Sequence, residues 1–143
     1  MTAAQKLLLL VEDSPADVAL ARAALADTLL THRCISFCDG SSALDYLSDE
    51  GNELPDLVLL DLNLPGMDGR ELLAEIKGSA RLLQIPVVIL TTSNAPSDRE
   101  QAYAGHANSF VTKPVDLDDY ADMLRCVVRY WFDTVTLPRH GMA

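Results

Sequence analysis

The sequence is short of cysteine, of clustered basic residues and of long apolar runs, and each shortage removes a class of function. Its three cysteines, Cys34, Cys38 and Cys126, are odd in number and lack the spacing of a zinc site. They read as buried or half-buried thiols in a reducing cytoplasm. The 11 Lys and Arg residues are scattered and outnumbered by 21 Asp and Glu, for a formal charge of −10. Nucleic-acid binding rests on Lys and Arg neutralising phosphates, so a duplex partner is excluded. No apolar run approaches the ~20 residues that span a bilayer, which excludes a membrane helix. The longest near the start, Leu7 to Val11, is too short and too soon followed by acid for a signal peptide. Repeats, low-complexity stretches and linkers are absent as well.

What remains is one globular domain over 1–143, with a core at 6–132 and a tail at 133–143. Its 143 residues are enough to bury about two-thirds of the unfolded surface without staples. Short apolar runs at Lys6–Val11, Leu57–Leu60 and Val87–Leu90 suit parallel strands covered on both faces. His32–Cys38 and Ser109–Thr112 are weaker strand candidates. Helix starts intervene. Ser14 precedes Pro15 with Asp17 three residues on, and Asp68 precedes Glu71. Ser97 likewise precedes Glu100, and Asp116 precedes Asp119. From Leu117 to Phe132, the residues Leu117, Tyr120, Ala121, Leu124, Val128 and Trp131 share one helical face. The order β-α repeated five times implies an α/β fold, a doubly wound parallel sheet with right-handed crossovers. Leu137 to Ala143 reads as a loose tail.

Ligands of such sheets sit outside the carboxyl ends of the strands. There the sequence places Glu12 and Asp13, then Asp61, then Thr91 and Thr92, then Lys113 and Pro114. Acidic residues after a strand are commonly helix caps or solvated charges; four strand ends with complementary chemistry are not. Three carboxylates at one sheet edge repel by about 4 kcal/mol per pair at about 4 Å and an effective dielectric near 20. One lysine does not offset that, whereas a hard divalent cation such as Mg²⁺ does. A phosphoryl group arriving at Asp61 would meet the metal, the Lys113 ammonium and the Thr91 hydroxyl, and phosphoryl transfer needs mainly such positioning and neutralisation. A carboxylate is also a competent nucleophile for an aspartyl phosphate.

The strings LLVEDSP, LVLLDLNLPGMDG, VVILTTS and SFVTKP, in that order, resemble the response-regulator receiver domain over about residues 6 to 132. The resemblance implies a five-stranded sheet of order 2-1-3-4-5 and Asp61 as the phosphoacceptor. It implies Mg²⁺ held by the carboxylates of Asp13 and Asp61 and the main-chain carbonyl of Asn63, with Glu12 acting through a metal-bound water. Thr91 would follow the phosphoryl oxygen, Lys113 would pair with it, and Phe110 would be the aromatic switch. Lys113 and Pro114 would be joined by a cis peptide. Glu12 stands where many members have Asp, Phe110 where Tyr is frequent, and Thr92 where a small residue is common. No required group is lost.

Two other readings share parts of this pattern. A haloacid-dehalogenase-like phosphatase needs a general-acid Asp two residues after its nucleophile, where this chain has Asn63. An FMN binder needs a Gly-, Ser- and Thr-rich phosphate loop after the first strand, where Glu12-Asp13-Ser14-Pro15 would repel the anion. The ending from Arg129 to Pro138 is similar to that of response regulators paired with bacterial phytochromes, which implies a phytochrome-type histidine kinase as phosphodonor. With little sequence after Trp131, output by protein–protein contact is expected. A second stripe on the last helix, Met123, Val127 and Tyr130, together with Trp131 and Phe132, suggests a two-fold homodimer.

Overall fold

The computed structural model describes residues 5–26 and 32–138. Elements alternate along the chain: β1 (Lys6–Val11), α1 (Pro15–Ala26), β2 (His32–Phe37), α2 (Gly40–Ser48), β3 (Leu57–Leu60), α3 (Gly69–Lys77), β4 (Val87–Thr91), α4 (Pro96–Ala104), β5 (Ser109–Thr112) and α5 (Leu117–Arg129). A π-helical turn, Tyr130–Thr134, closes the series. All strand pairs are parallel, in the order β2-β1-β3-β4-β5. The three central strands are almost wholly buried, as their unbroken Leu, Val and Ile content requires of strands covered on both faces. The edge strands β2 and β5 are half exposed.

Side chains alternate across the sheet and build two cores. One packs Leu9, Val11, Leu60 and Ile89 against α2 and α3 through Leu47, Leu72 and Ile76. The other packs Leu8, Leu10, Leu59 and Leu90 against α1 and α5 through Ala21, Leu25, Tyr120, Leu124 and Val128. The expected caps hold at three helices. Ser14 Oγ accepts from Asp17 N–H at 3.2 Å, Asp68 from Arg70 and Glu71, and Asp116 from Asp119. At α4 the cap differs: Pro96, not Ser97, opens the helix, and Ala95 precedes it without a side-chain bond. Pro is preorganised for the first helical position, and the N–H groups of Asp98 and Arg99 both donate to Ala95 C=O, so the helix opens at the proline.

The end of α5 departs furthest from a regular helical reading. Leu117 is 61% exposed, outside the buried stripe. The π turn, closed by Val135 N–H on Tyr130 C=O at 3.0 Å, winds fewer degrees per residue. Its phase carries Phe132, rather than Trp131, onto the sheet-facing side below Val128. Phe132 is buried and its ring lies 6.0 Å from that of His32, while Trp131 is only half-buried. Phe132 is therefore a core residue, not the surface contact expected of it. Met123 and Val127 are also half-covered by the α1 and α5 core, and so is Leu137, in the stretch expected to be loose. Residues 139–143, the rest of that tail, lie outside the described residues, as does His140. The thiols differ too: Cys34 is half-buried, but Cys38 and Cys126 are exposed.

Phe132→Ala should accordingly cost about 3–5 kcal/mol of unfolding free energy, the range for truncating a buried aromatic. Trp131→Ala should cost clearly less. Urea denaturation of the two variants checks this, and an equal or larger loss for Trp131 would contradict the phase assigned to the π turn.

Candidate functional site

The strand order reverses direction between β1 and β3, and the crevice of a doubly wound sheet opens at such a switch point. Backbone bonds hold the carboxyl ends of the strands level there. Glu12 N–H donates to Phe37 C=O and Asp61 N–H to Val11 C=O, both at 3.0 Å, and Lys113 N–H donates to Thr91 C=O at 2.6 Å. Four polar residues are buried at this edge: Glu12, Asp61, Thr91 and Lys113. The turn after β3 approaches so closely that a Cβ on Gly69 would lie 2.2 Å from the Asp61 carbonyl oxygen. Only glycine fits at that point.

Lys113 reaches across the crevice. Its Nζ is ion-paired with Glu12, and with Asp17 and Asp61 at 3.1 Å each. Asp13 is exposed beside them, and oxygens of Glu12, Asp13 and Asp61 all lie within 4.8 Å of one another. That spacing suits a small hard cation, whose ligands at about 2.0–2.1 Å place opposite oxygens about 4 Å apart. The donor set, all carboxylate oxygen, is of the right kind. Asn63 follows closely, its N–H donating to Asp61 Oδ1 at 3.1 Å, with its side chain exposed. Thr91 is fully buried, and its Oγ1 accepts from Ser93 N–H at 3.3 Å. Phe110 is half-buried against the α2 and α3 core, and its N–H donates to the Tyr103 hydroxyl. Thr92 is exposed.

The Lys113–Pro114 peptide is trans, contrary to the cis bond implied by resemblance; no cis peptide occurs among the described residues. The trans form is favoured by about 0.5–1 kcal/mol at X–Pro bonds. The chain makes the Lys113 main-chain bond and all three ion pairs in that form.

Burial pushes the Glu12 carboxyl up to about 7, against the opposing hydrogen bond and charge of Lys113. Burial works to lower Lys113, but Glu12 and Asp61 outweigh it and raise the lysine above its ordinary value. Lys113 thus stays an ammonium, and Glu12 is the member that exchanges its proton near neutrality. A raised carboxyl favours the folded chain below its ordinary value, and that advantage fades as pH rises through about 7. Cation binding has the opposite sign, because it needs the carboxylate. Divalent-cation affinity should therefore rise from pH 6 to pH 8 with release of protons, which calorimetry in buffers of different ionisation enthalpy measures. A flat affinity across that window would contradict the Glu12 assignment.

Sequence reasoning missed Asp17 as a partner of Lys113, taking it only as part of a helix start. Its position four residues after Asp13, in the first turn of α1, was the available signal. Also missed was a bridge behind Thr91. Ser93 Oγ donates to Asp98 Oδ2 at 2.5 Å, and Arg70 donates to Asp98 Oδ1 at 2.6 Å, joining the β4–α4 loop to α3.

The profile of the family described as the response regulator receiver domain matches residues 8–125. The chain belongs to this family. Its members are phosphoacceptor switches of two-component signalling. The receiver is 44% identical over 137 residues to Response regulator Rcp1 of Synechocystis sp. (strain ATCC 27184 / PCC 6803 / Kazusa), covering 93% of each chain. It is 43% identical over 128 residues to the probable methanogenesis regulatory protein FilR2 of Methanothrix harundinacea (strain 6Ac), covering 87% of this chain and 83% of that one. Among solved structures, the Mn(2+)-bound form of response regulator Rcp1 superposes with TM-score 0.90 at 43% identity, over 94% of this chain and 99% of that one. The phosphorylated cyanobacterial phytochrome response regulator RcpA superposes with TM-score 0.90 at 41% identity, over 95% and 100%. The five-stranded order 2-1-3-4-5 is the receiver fold expected from the sequence. No helix among the described residues is long and apolar enough to cross a membrane.

Proposed function

We propose that Asp61 accepts a phosphoryl group from a histidine kinase in a Mg²⁺-dependent transfer, and that the phosphorylated chain signals through protein contacts. The observation that carries this reading is the convergence of Lys113 Nζ on Asp61 beside three carboxylates within 4.8 Å of one another. An Asp61 carboxylate oxygen attacks phosphorus, the bond from phosphorus to the donor breaks, and the donor leaves with that electron pair. The carboxylates of Asp13 and Asp61 and the main-chain carbonyl of Asn63 would hold Mg²⁺, with Glu12 acting through a bound water, and the ion would supply neutralising charge. The chain's own residues thereby assist both gain and loss of the phosphate. Lys113 pairs with a phosphoryl oxygen. Thr91 turns its hydroxyl from Ser93 towards another, and Phe110 moves inward behind it. Response regulators of phytochromes are among the similar structures, RcpA and the bacteriophytochrome response regulator AtBRR. They support a phytochrome-type kinase as donor. Phosphotransfer from such a kinase tests the pairing, and transfer only from unrelated kinases would count against it.

The assembly reading keeps the last helix but on fewer residues. With Phe132 in the core and Met123, Val127 and Trp131 half-covered, Tyr130 is the one of these five residues left exposed, at 50%, and it lies edge-on to Trp131 at 5.3 Å. Tyr130 also lines a shallow groove with Arg125, Cys126 and Arg129. A two-fold pair through this face should sediment at about twice the 15.6 kDa chain mass. Tyr130→Asp should return it to monomer while sparing phosphorylation. A wild-type chain that stays monomeric at high concentration would overturn the dimer.

A further inference from the structure

We propose that Asp17 is a positioning residue for Lys113 in phosphoryl transfer: it is the carboxylate that keeps the lysine in place once a cation has engaged the others. The inference rests on the phosphoacceptor reading of Asp61 given above. A lysine ammonium has three donors, and here three carboxylates face it, Glu12, Asp17 and Asp61. Two of these, Glu12 and Asp61, belong with Asp13 to the group whose oxygens lie within 4.8 Å of one another. Asp17 does not. A divalent cation in that group would compete for Asp61 directly and for Glu12 through a bound water, which leaves Asp17 as the one of the three anions whose hold on Lys113 is not contested.

Its setting suits that part. The Asp17 side chain is 33% exposed at the rim, whereas those of Glu12 and Asp61 are 3% and 10% exposed. Its backbone is fixed in the first turn of α1, its N–H on Ser14 Oγ at 3.2 Å and the next N–H, of Val18, on Ser14 C=O at 3.0 Å. An acid at this position also complements the helix dipole. That role alone asks for no contact with a lysine 96 residues away. Asp17 thus holds the ammonium from the α1 side, with its remaining donors directed to Asp61 and whatever Asp61 carries.

Calorimetric titration of beryllofluoride, in the presence of Mg²⁺, reads the Lys113 contact, and titration of Mg²⁺ alone reads the metal group. In full-length Asp17→Ala we expect Mg²⁺ affinity to stay within about twofold, because Asp17 is outside that group. Beryllofluoride affinity and the rate of labelling by acetyl phosphate should each fall roughly tenfold, the lower end for a charge-assisted bond. Asp17→Glu should restore most of both. The sign decides between two roles, since merely removing a negative charge near an anion site would tighten beryllofluoride. Unchanged or tighter binding in Asp17→Ala, a parallel loss of Mg²⁺ affinity, or no rescue by glutamate would each overturn the proposal. A wild-type chain that binds no beryllofluoride would instead overturn the phosphoacceptor reading itself.

Discussion

Asp61→Asn should lose all labelling by acetyl phosphate in the presence of Mg²⁺, while the wild-type chain takes up one phosphoryl group. The amide matches the carboxylate in shape but has no anionic oxygen to attack phosphorus. The alternatives are poorly placed. Glu12 is more deeply buried than Asp61 and ion-paired with Lys113, with its proton held up to about 7. Asp13 is exposed, and no ion pair between it and Lys113 is found among the described residues. The fold should survive the change. Lys113 keeps Glu12 and Asp17, and one member leaves a group of mutually repelling carboxylates. A urea midpoint at or above that of the wild type would therefore accompany the lost labelling. Equal labelling of the variant would remove Asp61 from its assigned role.

Removing divalent metal should have an effect of the same size. With Glu12, Asp13 and Asp61 within 4.8 Å of one another, an incoming phosphoryl group adds further negative charge to a site holding one ammonium. Each carboxylate pair alone costs on the order of 4 kcal/mol at 4 Å and a dielectric near 20. EDTA should block labelling by acetyl phosphate, and added Mg²⁺ or Mn²⁺ should restore it. Transfer at full rate without metal would show that Lys113 suffices and that the charge argument fails.

The sheet was legible because its central strands are short unbroken runs of Leu, Val and Ile, such as Leu57–Leu60, a pattern with one good structural solution. The crevice was legible for a related reason. Glu12, Asp61, Thr91 and Lys113 each follow such a run directly, so the parallel sheet brings them level without any long-range detail. What escaped was geometry that periodicity does not carry. Phe132 and Trp131 both fit the buried stripe of a regular helix, and the choice depends on a local π turn. Asp17 has the same spacing whether it caps a helix or grips Lys113. The Ser93–Asp98–Arg70 bridge depends on contacts 5 and 28 residues apart in sequence, set only once α3 and α4 are packed. His106 takes a left-handed backbone, φ 73°, after α4, a conformation in which histidine is enriched among non-glycine residues but which periodicity does not signal.

The central claim is that one carboxylate, that of Asp61, carries the phosphoryl group. Borohydride reduces an acyl phosphate to the alcohol, converting a phosphorylated aspartate to homoserine and leaving free carboxylates untouched. After treatment with acetyl phosphate and Mg²⁺, reduction and proteolysis, mass spectrometry should find homoserine at position 61 and nowhere else. Homoserine at position 13, or a reduced side chain at Glu12 or Asp17, with Asp61 intact would contradict the account.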